Sequence, residues 1–168
     1  YDASMGIPLI IKAPGMLEAG GVNTDPVRSI DVMPTVLGMA DIAIPESDGV
    51  DLRVERPGAA FMETDISYFK WNKRRYIKGV NGKLRGVRTG DWKLIYTPKK
   101  GRGVWELFNL KDDPEELTNL FETGEAPKGI SEALMAELRT WIPEDEQLAL
   151  NAIGNRFDVL PTNAKVTD

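Results

Sequence analysis

The chain is expected to be α+β: a short apolar strand and a helix, followed by a four- to five-stranded antiparallel sheet packed with a C-terminal helix. Three observations predict this. The run Ile7-Pro-Leu-Ile-Ile-Lys12 is apolar without alternation, which is how a strand covered on both faces reads. Between Gly58 and Leu110, short runs of β-favouring residues are divided by Asn81-Gly82 and Gly90-Asp91, both tight-turn signals. Ser131 to Ile142 then places Leu134, Leu138, Trp141 and Ile142 at helical spacing ahead of Pro143.

Taken in order, Ile7–Lys12 has no good parallel neighbour in its own chain. It is expected to be the last strand of a sheet whose other members lie upstream; the alternative is burial against this chain's own helices. Gly20, Gly21, Asn23 and Pro26 make residues 16–26 a loop. Ser29 to Ile42 reads as a helix with its lead-in. Asp31 is the candidate N-cap, Pro34 falls in the first turn where its missing N–H is no loss, and Val32, Met33, Val36 and Met39 form the apolar stripe.

The sheet is read as Phe61–Ile66, Arg75–Val80, Leu84–Thr89, Trp92–Tyr96 and Val104–Leu110, with Pro98–Gly103 an exposed basic loop. Alternation puts Trp92, Leu94 and Tyr96 on one face and Lys93 and Ile95 on the other. Asp113-Pro-Glu-Glu116 has the composition of a helix start, with an acid as cap and proline at the first position. Residues 144–168 read as an irregular tail. Three divisions follow: 1–50, the strand and helix; 51–145, the antiparallel-sheet subdomain with its helices; and 146–168, the tail.

Composition narrows the function. Lys plus Arg number 21 against 26 Asp plus Glu, a net charge of −5, which argues against a general affinity for nucleic acid. No apolar run reaches the roughly 18–20 residues of a membrane helix. The chain contains neither cysteine nor histidine, so disulfides, thiolate nucleophiles and imidazole acid–base chemistry are excluded. It opens at Tyr1 without methionine, and an upstream part is expected.

Four blocks carry a resemblance. Tyr1-Asp-Ala-Ser-Met-Gly-Ile-Pro-Leu-Ile-Ile-Lys-Ala-Pro-Gly15, Ser29-Ile-Asp-Val-Met-Pro-Thr35, Arg88-Thr-Gly-Asp-Trp-Lys-Leu-Ile95 and Leu107-Phe-Asn-Leu-Lys-Asp-Asp-Pro114 together resemble the C-terminal part of the type I, formylglycine-dependent sulfatases of the alkaline phosphatase superfamily. The resemblance implies a parent enzyme that hydrolyses sulfate esters with a calcium ion and a formylglycine made from Cys or Ser in a C/S-x-P-x-R motif. That motif is missing from this sequence. The resemblance therefore implies a fragment without cofactor that buttresses a missing N-terminal catalytic core, is not catalytic alone, and is able to dimerise through the face that once met the core. It also implies a periplasmic or secreted location, as is common among bacterial relatives.

Ser67-Tyr-Phe-Lys-Trp-Asn-Lys-Arg-Arg-Tyr76 interleaves four cations with four aromatic rings. Guanidinium forks suit sulfate or carboxylate, and flat rings suit sugars or aryl groups. Lys70, Trp71, Arg74 and Arg75 are thus candidates to line the substrate cleft; the alternative is a solvated strand end with its cations snorkelling over Trp71. Arg88 and Lys93 are expected to pair across strands with acids such as Glu106. Asp112, Asp113, Glu115 and Glu116 lack the alternate-oxygen spacing of a calcium loop and read as helix caps. Trp92, Trp105 and Trp141 are expected in the core. Two rival functions remain: the tail of a related phosphodiesterase, phosphonate hydrolase or phosphatase, and a free-standing glycan- or protein-binding module presenting Trp71 and Arg74-Arg75.

Overall fold

Alternating side chains build the centre of the molecule. A computed structural model describes residues 1, 5–64, 83–99, 102–152 and 166–167. A single 3₁₀ turn (Ser29–Asp31) leads into helix α1 (Val32–Met39). Strands β1 (Ala60–Thr64), β2 (Leu84–Thr89), β3 (Trp92–Lys99) and β4 (Arg102–Asn109) follow and pair as an antiparallel meander in the order β1-β2-β3-β4. Helix α2 (Leu120–Thr123), strand β5 (Ala126–Pro127), helix α3 (Lys128–Trp141), helix α4 (Glu144–Ala152) and strand β6 (Val166–Thr167) are the remaining elements among the described residues, with β6 parallel to β5. The class is α+β, as the sequence predicts.

The register Phe61↔Val87, Val87↔Leu94 and Leu94↔Leu107, with Arg85↔Tyr96 and Tyr96↔Trp105, puts these residues on one face. Val87, Leu94, Tyr96, Trp105 and Leu107 pack there with Leu134, Met135 and Leu138 of α3 in one buried cluster. Each such large apolar side chain contributes about 1.5–3 kcal/mol on full burial. Gly90, at φ 55, turns β2 into β3. Gly103 is needed for a different reason: a Cβ there would lie 2.2 Å from the Tyr96 ring. The opposite face holds a smaller cluster of Ile95, Phe108 and Leu110. Tyr1 covers its edge, with its ring 5.9 Å from that of Phe108 and its hydroxyl donating to Glu106 Oε1 at 2.7 Å.

Several expectations are corrected. The alternative of burying Ile7–Lys12 against this chain's own helices is overturned: Ile7 is 78% and Ile10 89% exposed, and the segment pairs with no strand among the described residues. A strand needs a neighbouring edge, and none among the described residues supplies one. The stripe on α1 faces outward, with Val32, Met33 and Val36 exposed and Pro34 and Thr35 buried instead. Asp31 makes no side-chain cap bond to α1. Its carboxylate is taken by Arg28 and Val50, which tie the following loop to the helix.

Asp113 starts no helix. Its carboxylate receives the N–H groups of Leu117 at 3.0 Å and Thr118 at 2.8 Å, closing a turn. The helix waits for Asn119, whose side chain caps α2 by accepting from the Phe121 N–H. Pro98 and Lys99 belong to β3, opposite Gly103 and Arg102, and not to a loop. Pro98 lies past the last β2 partner, Arg85↔Tyr96, so it interrupts no ladder on that side.

Trp105 is buried and Trp92 packs against the main cluster, as expected. Trp141 is 38% exposed and stacks on Phe61 at 5.3 Å and 10°. The segment 144–152, expected to be irregular, is helical. The Pro143 carbonyl accepts from the N–H groups of Glu146 and Gln147, and three acids occupy the first turn, where the helix dipole favours negative charge. The predicted strand Arg75–Val80 and the Asn81-Gly82 turn lie outside the described residues.

Candidate functional site

The polar centre of the N-terminal part is Asp31. Its carboxylate accepts from the Arg28 backbone N–H at 2.8 Å, the Arg28 guanidinium at 2.8 Å and the Val50 N–H at 3.0 Å. Burial alone would raise its pKa, but these donors outweigh it and hold the carboxyl below the usual range. One turn on, the Thr35 hydroxyl donates to the Asp31 carbonyl at 2.6 Å and accepts from the Leu52 N–H at 3.0 Å. Asp51 then grips Arg53 through both backbone and guanidinium, and the same hydrogen bonds lower the Asp51 pKa and raise that of Arg53. The pair lies over Gly38 of α1, where a Cβ would come within 2.2 Å of either group. Segment 49–53 is thereby pinned to the helix.

This clasp forms one wall of an open groove of about 860 Å³. Ile7, Leu9 and Ile11 line it from the N-terminal segment, and Phe61 and Met62 from β1. Arg28, Arg53, Arg56 and Arg88 bring four guanidinium groups to it. Arg28 and Arg53 are held by Asp31 and Asp51, Arg56 approaches Asp25 at 3.6 Å, and Arg88 donates to the Gly90 carbonyl at 3.2 Å. The groove thus combines an apolar floor with hydrogen-bond donors of fixed direction. Such an arrangement suits the binding of a polar or anionic group. The (i, i+3) spacing of Arg28 and Asp31 was a visible signal for the clasp; nothing local marked Arg53 or Arg56.

Among the described residues, no group of three or more acidic side chains is placed to hold a metal ion. Asp112 accepts from the Asn109 amide at 2.6 Å and Asp113 closes its turn, so neither is free for calcium. Among the described residues no ligand set for calcium is assembled, and the sequence holds no C/S-x-P-x-R motif to become formylglycine. Lys93 pairs with Glu116 at 2.8 Å, the two side chains 1% and 2% exposed, and not with Glu106, which is taken by Tyr1. Glu116 reaches this position from a left-handed backbone, φ 56, which a residue other than glycine seldom adopts. Lys70, Trp71, Arg74 and Arg75 lie outside the described residues.

The family model described as N-sulphoglucosamine sulphohydrolase, C-terminal, matches residues 1–143, and the chain belongs to this sulfatase family. It is 33% identical over 138 residues to a choline-sulfatase of Rhizobium meliloti, covering 76% of this chain. It is 28% identical over 135 residues to an N-acetylglucosamine-6-O-sulfatase of Bacteroides thetaiotaomicron, covering 76%, and 32% identical over 127 residues to arylsulfatase K of Bos taurus, covering 71%. The chain spans 23% of the length of each of these relatives. A solved structure of a protein in complex with its substrate D-glucosamine-2-N,6-O-disulfate is similar at 25% identity and TM-score 0.43, over 73% of this chain and 24% of that one. A solved 2-O GAG sulfatase is similar at 23% identity and TM-score 0.45, over 72% and 24%. Sulfatase membership sets aside the phosphodiesterase, phosphonate hydrolase and phosphatase tails.

Proposed function

We propose that this chain buttresses the catalytic core of a sulfatase and forms one wall of its substrate cleft, hydrolysing nothing by itself. The distribution of exposed apolar residues carries this reading. Ile7, Ile10, Met16, Val22, Val36 and Ile42 all face solvent, while the large apolar residues of β2, β3 and β4 are enclosed or packed against the core. Exposed apolar residues concentrated in one part of the chain are what an interface presents. The partner is the N-terminal sulfatase core, because the chain accounts for 23% of the length of its relatives. In that setting Ile7–Lys12 supplies the last strand of the core sheet, α1 packs through Val32, Met33 and Val36, and residues 51–145 form a subdomain beside it.

The substrate class is a sulfate ester, in keeping with the relatives' names. Calcium and formylglycine belong to the core. Lys70, Trp71, Arg74 and Arg75 are proposed to reach the rim of the cleft, with the groove at Arg53 and Arg56 continuing it.

The test is a polypeptide in which this chain is joined to a sulfatase core, assayed for aryl sulfate hydrolysis. Ile10→Asp with Val36→Asp is expected to abolish activity, and Leu117→Asp, which changes an exposed residue of the subdomain, to leave it intact. Equal activity in both variants overturns the buttress. Trp71→Ala and Arg74→Ala are expected to raise KM more than they lower kcat; unchanged KM removes these residues from the rim.

A further inference from the structure

Arg85 is, with Lys93, one of two fully buried cations among the described residues. It stands on the α3-covered face of the sheet, opposite Tyr96, and its side chain is 1% exposed. Nε contacts Glu63 Oε2 at 3.2 Å and Nη2 meets Glu146 Oε1. Nη1 is buried and has no hydrogen-bond partner. Glu63 also takes Lys83 at 2.7 Å. The four groups form a chain of alternating sign, Lys83–Glu63–Arg85–Glu146. The Lys83 pKa is pushed up first by its hydrogen bond to Glu63, and Glu146 and Arg85 act on it as well.

Glu146 differs from the other members. It comes from α4, 61 residues away in sequence, and its side chain is 37% exposed. Residues 144–148 and 151 are all exposed or half-buried. The first turn of α4 is held by polar contacts: Glu146 meets Arg85, and the Gln147 amide donates to the Arg139 carbonyl at 3.0 Å and the Ile142 carbonyl at 2.6 Å. Pro143, at the junction, has no N–H with which to continue the α3 ladder into α4.

If α4 lifts, two cations and one carboxylate remain, a net charge of +1. The freed Nη2 and the partnerless Nη1 then form a fork, the geometry that takes an oxyanion through two parallel bonds. We propose that Arg85, supported by Lys83, is an oxyanion-binding site and that Glu146 is its internal occupant, carried on α4 as a displaceable strap. The ligand class is a small oxyanion, sulfate or carboxylate. The proposal is independent of the sulfatase reading.

The probe is inorganic sulfate against chloride at matched ionic strength, followed on the Arg85 Nε–H resonance of the 15N-labelled chain. Glu146→Gln is expected to lower the sulfate midpoint by about tenfold relative to the parent sequence, the scale of one charge-assisted hydrogen bond. In the same variant, amides of residues 144–152 should exchange faster while those of α3 do not. Lys83→Met, added to Glu146→Gln, should raise the midpoint again. Glu132→Gln, at an exposed site on α3, should behave as the parent. Equal sulfate midpoints in Glu146→Gln and the parent, or no saturable response in Glu146→Gln with α3 exchange intact, overturn the proposal.

Discussion

Lys93 and Glu116 are enclosed so completely that neither charge tolerates the loss of the other. Removing one partner of a buried pair costs about 3–5 kcal/mol, while replacing both by apolar groups is often close to neutral. Lys93→Met is therefore expected to lower the urea midpoint sharply, and Lys93→Met with Glu116→Leu to recover most of it. A double variant no more stable than the single one would show that the charges themselves hold the fold. Asp31 gives a pH signature. Its folded pKa is depressed, so its contribution is complete above the unfolded carboxyl value of about 3.9 and is lost as pH falls through the lower folded value. Asp31→Asn should flatten the acid limb of the melting curve against pH by about one proton. An unchanged limb would mean that other carboxylates set it.

Asn119 shows how one side chain can join two elements. Its oxygen accepts from the Leu107 N–H at 3.1 Å and the Phe121 N–H at 3.2 Å, and its nitrogen donates to the Trp105 carbonyl at 3.3 Å. The amide thus occupies part of the outer edge of β4, which would otherwise invite another strand, and it also caps α2. Losing a cap alone costs about 0.5–2 kcal/mol. Asn119→Ala should exceed the middle of that range and speed amide exchange at Leu107; slow exchange there would leave only the capping role. The β3–β4 hairpin has a steric counterpart. Gly103→Ala must displace the Tyr96 ring that leans on Trp105 at 4.6 Å, an overpacking expected to cost about 1–3 kcal/mol. The test is a thermal melt against Gly129→Ala, where a Cβ meets open space.

The molecule as a whole has two parts with different degrees of self-sufficiency. The sheet and α3 close a core of their own, whereas residues 5–44 keep a broad apolar surface in water. Introducing charge at the most exposed positions of that surface disturbs little packing within the chain. Ile10→Asp with Val36→Asp should leave its stability within about 0.5 kcal/mol and reduce its self-association in light scattering. A parent chain that is strictly monomeric at high concentration would argue that the surface is not sticky, and the buttress reading would lose its main support.

Sequence alone determined the meander and its faces. Period-two alternation decides which side of a strand each residue takes, and the Gly90 turn sets where β3 begins. It also determined the position of α3, through the spacing of Leu134 and Leu138, and the sulfatase resemblance, through blocks that are local in the chain. Tertiary structure alone decided the rest. Asp113-Pro-Glu-Glu116 has every local mark of a helix start, yet Lys93 draws Glu116 inward and a turn forms. Asp31 looked like a cap and became a clasp, because Val50 and Arg28 compete for its oxygens. Ile7–Lys12 has the composition of a strand but no edge to pair with, and a ladder needs two sides. The Arg56 and Arg85 sites join residues up to 61 positions apart, and long-range ion pairs of this kind leave no periodic trace. Pattern is legible where a residue's partners share its own element. It fails where the partner comes from elsewhere in the fold.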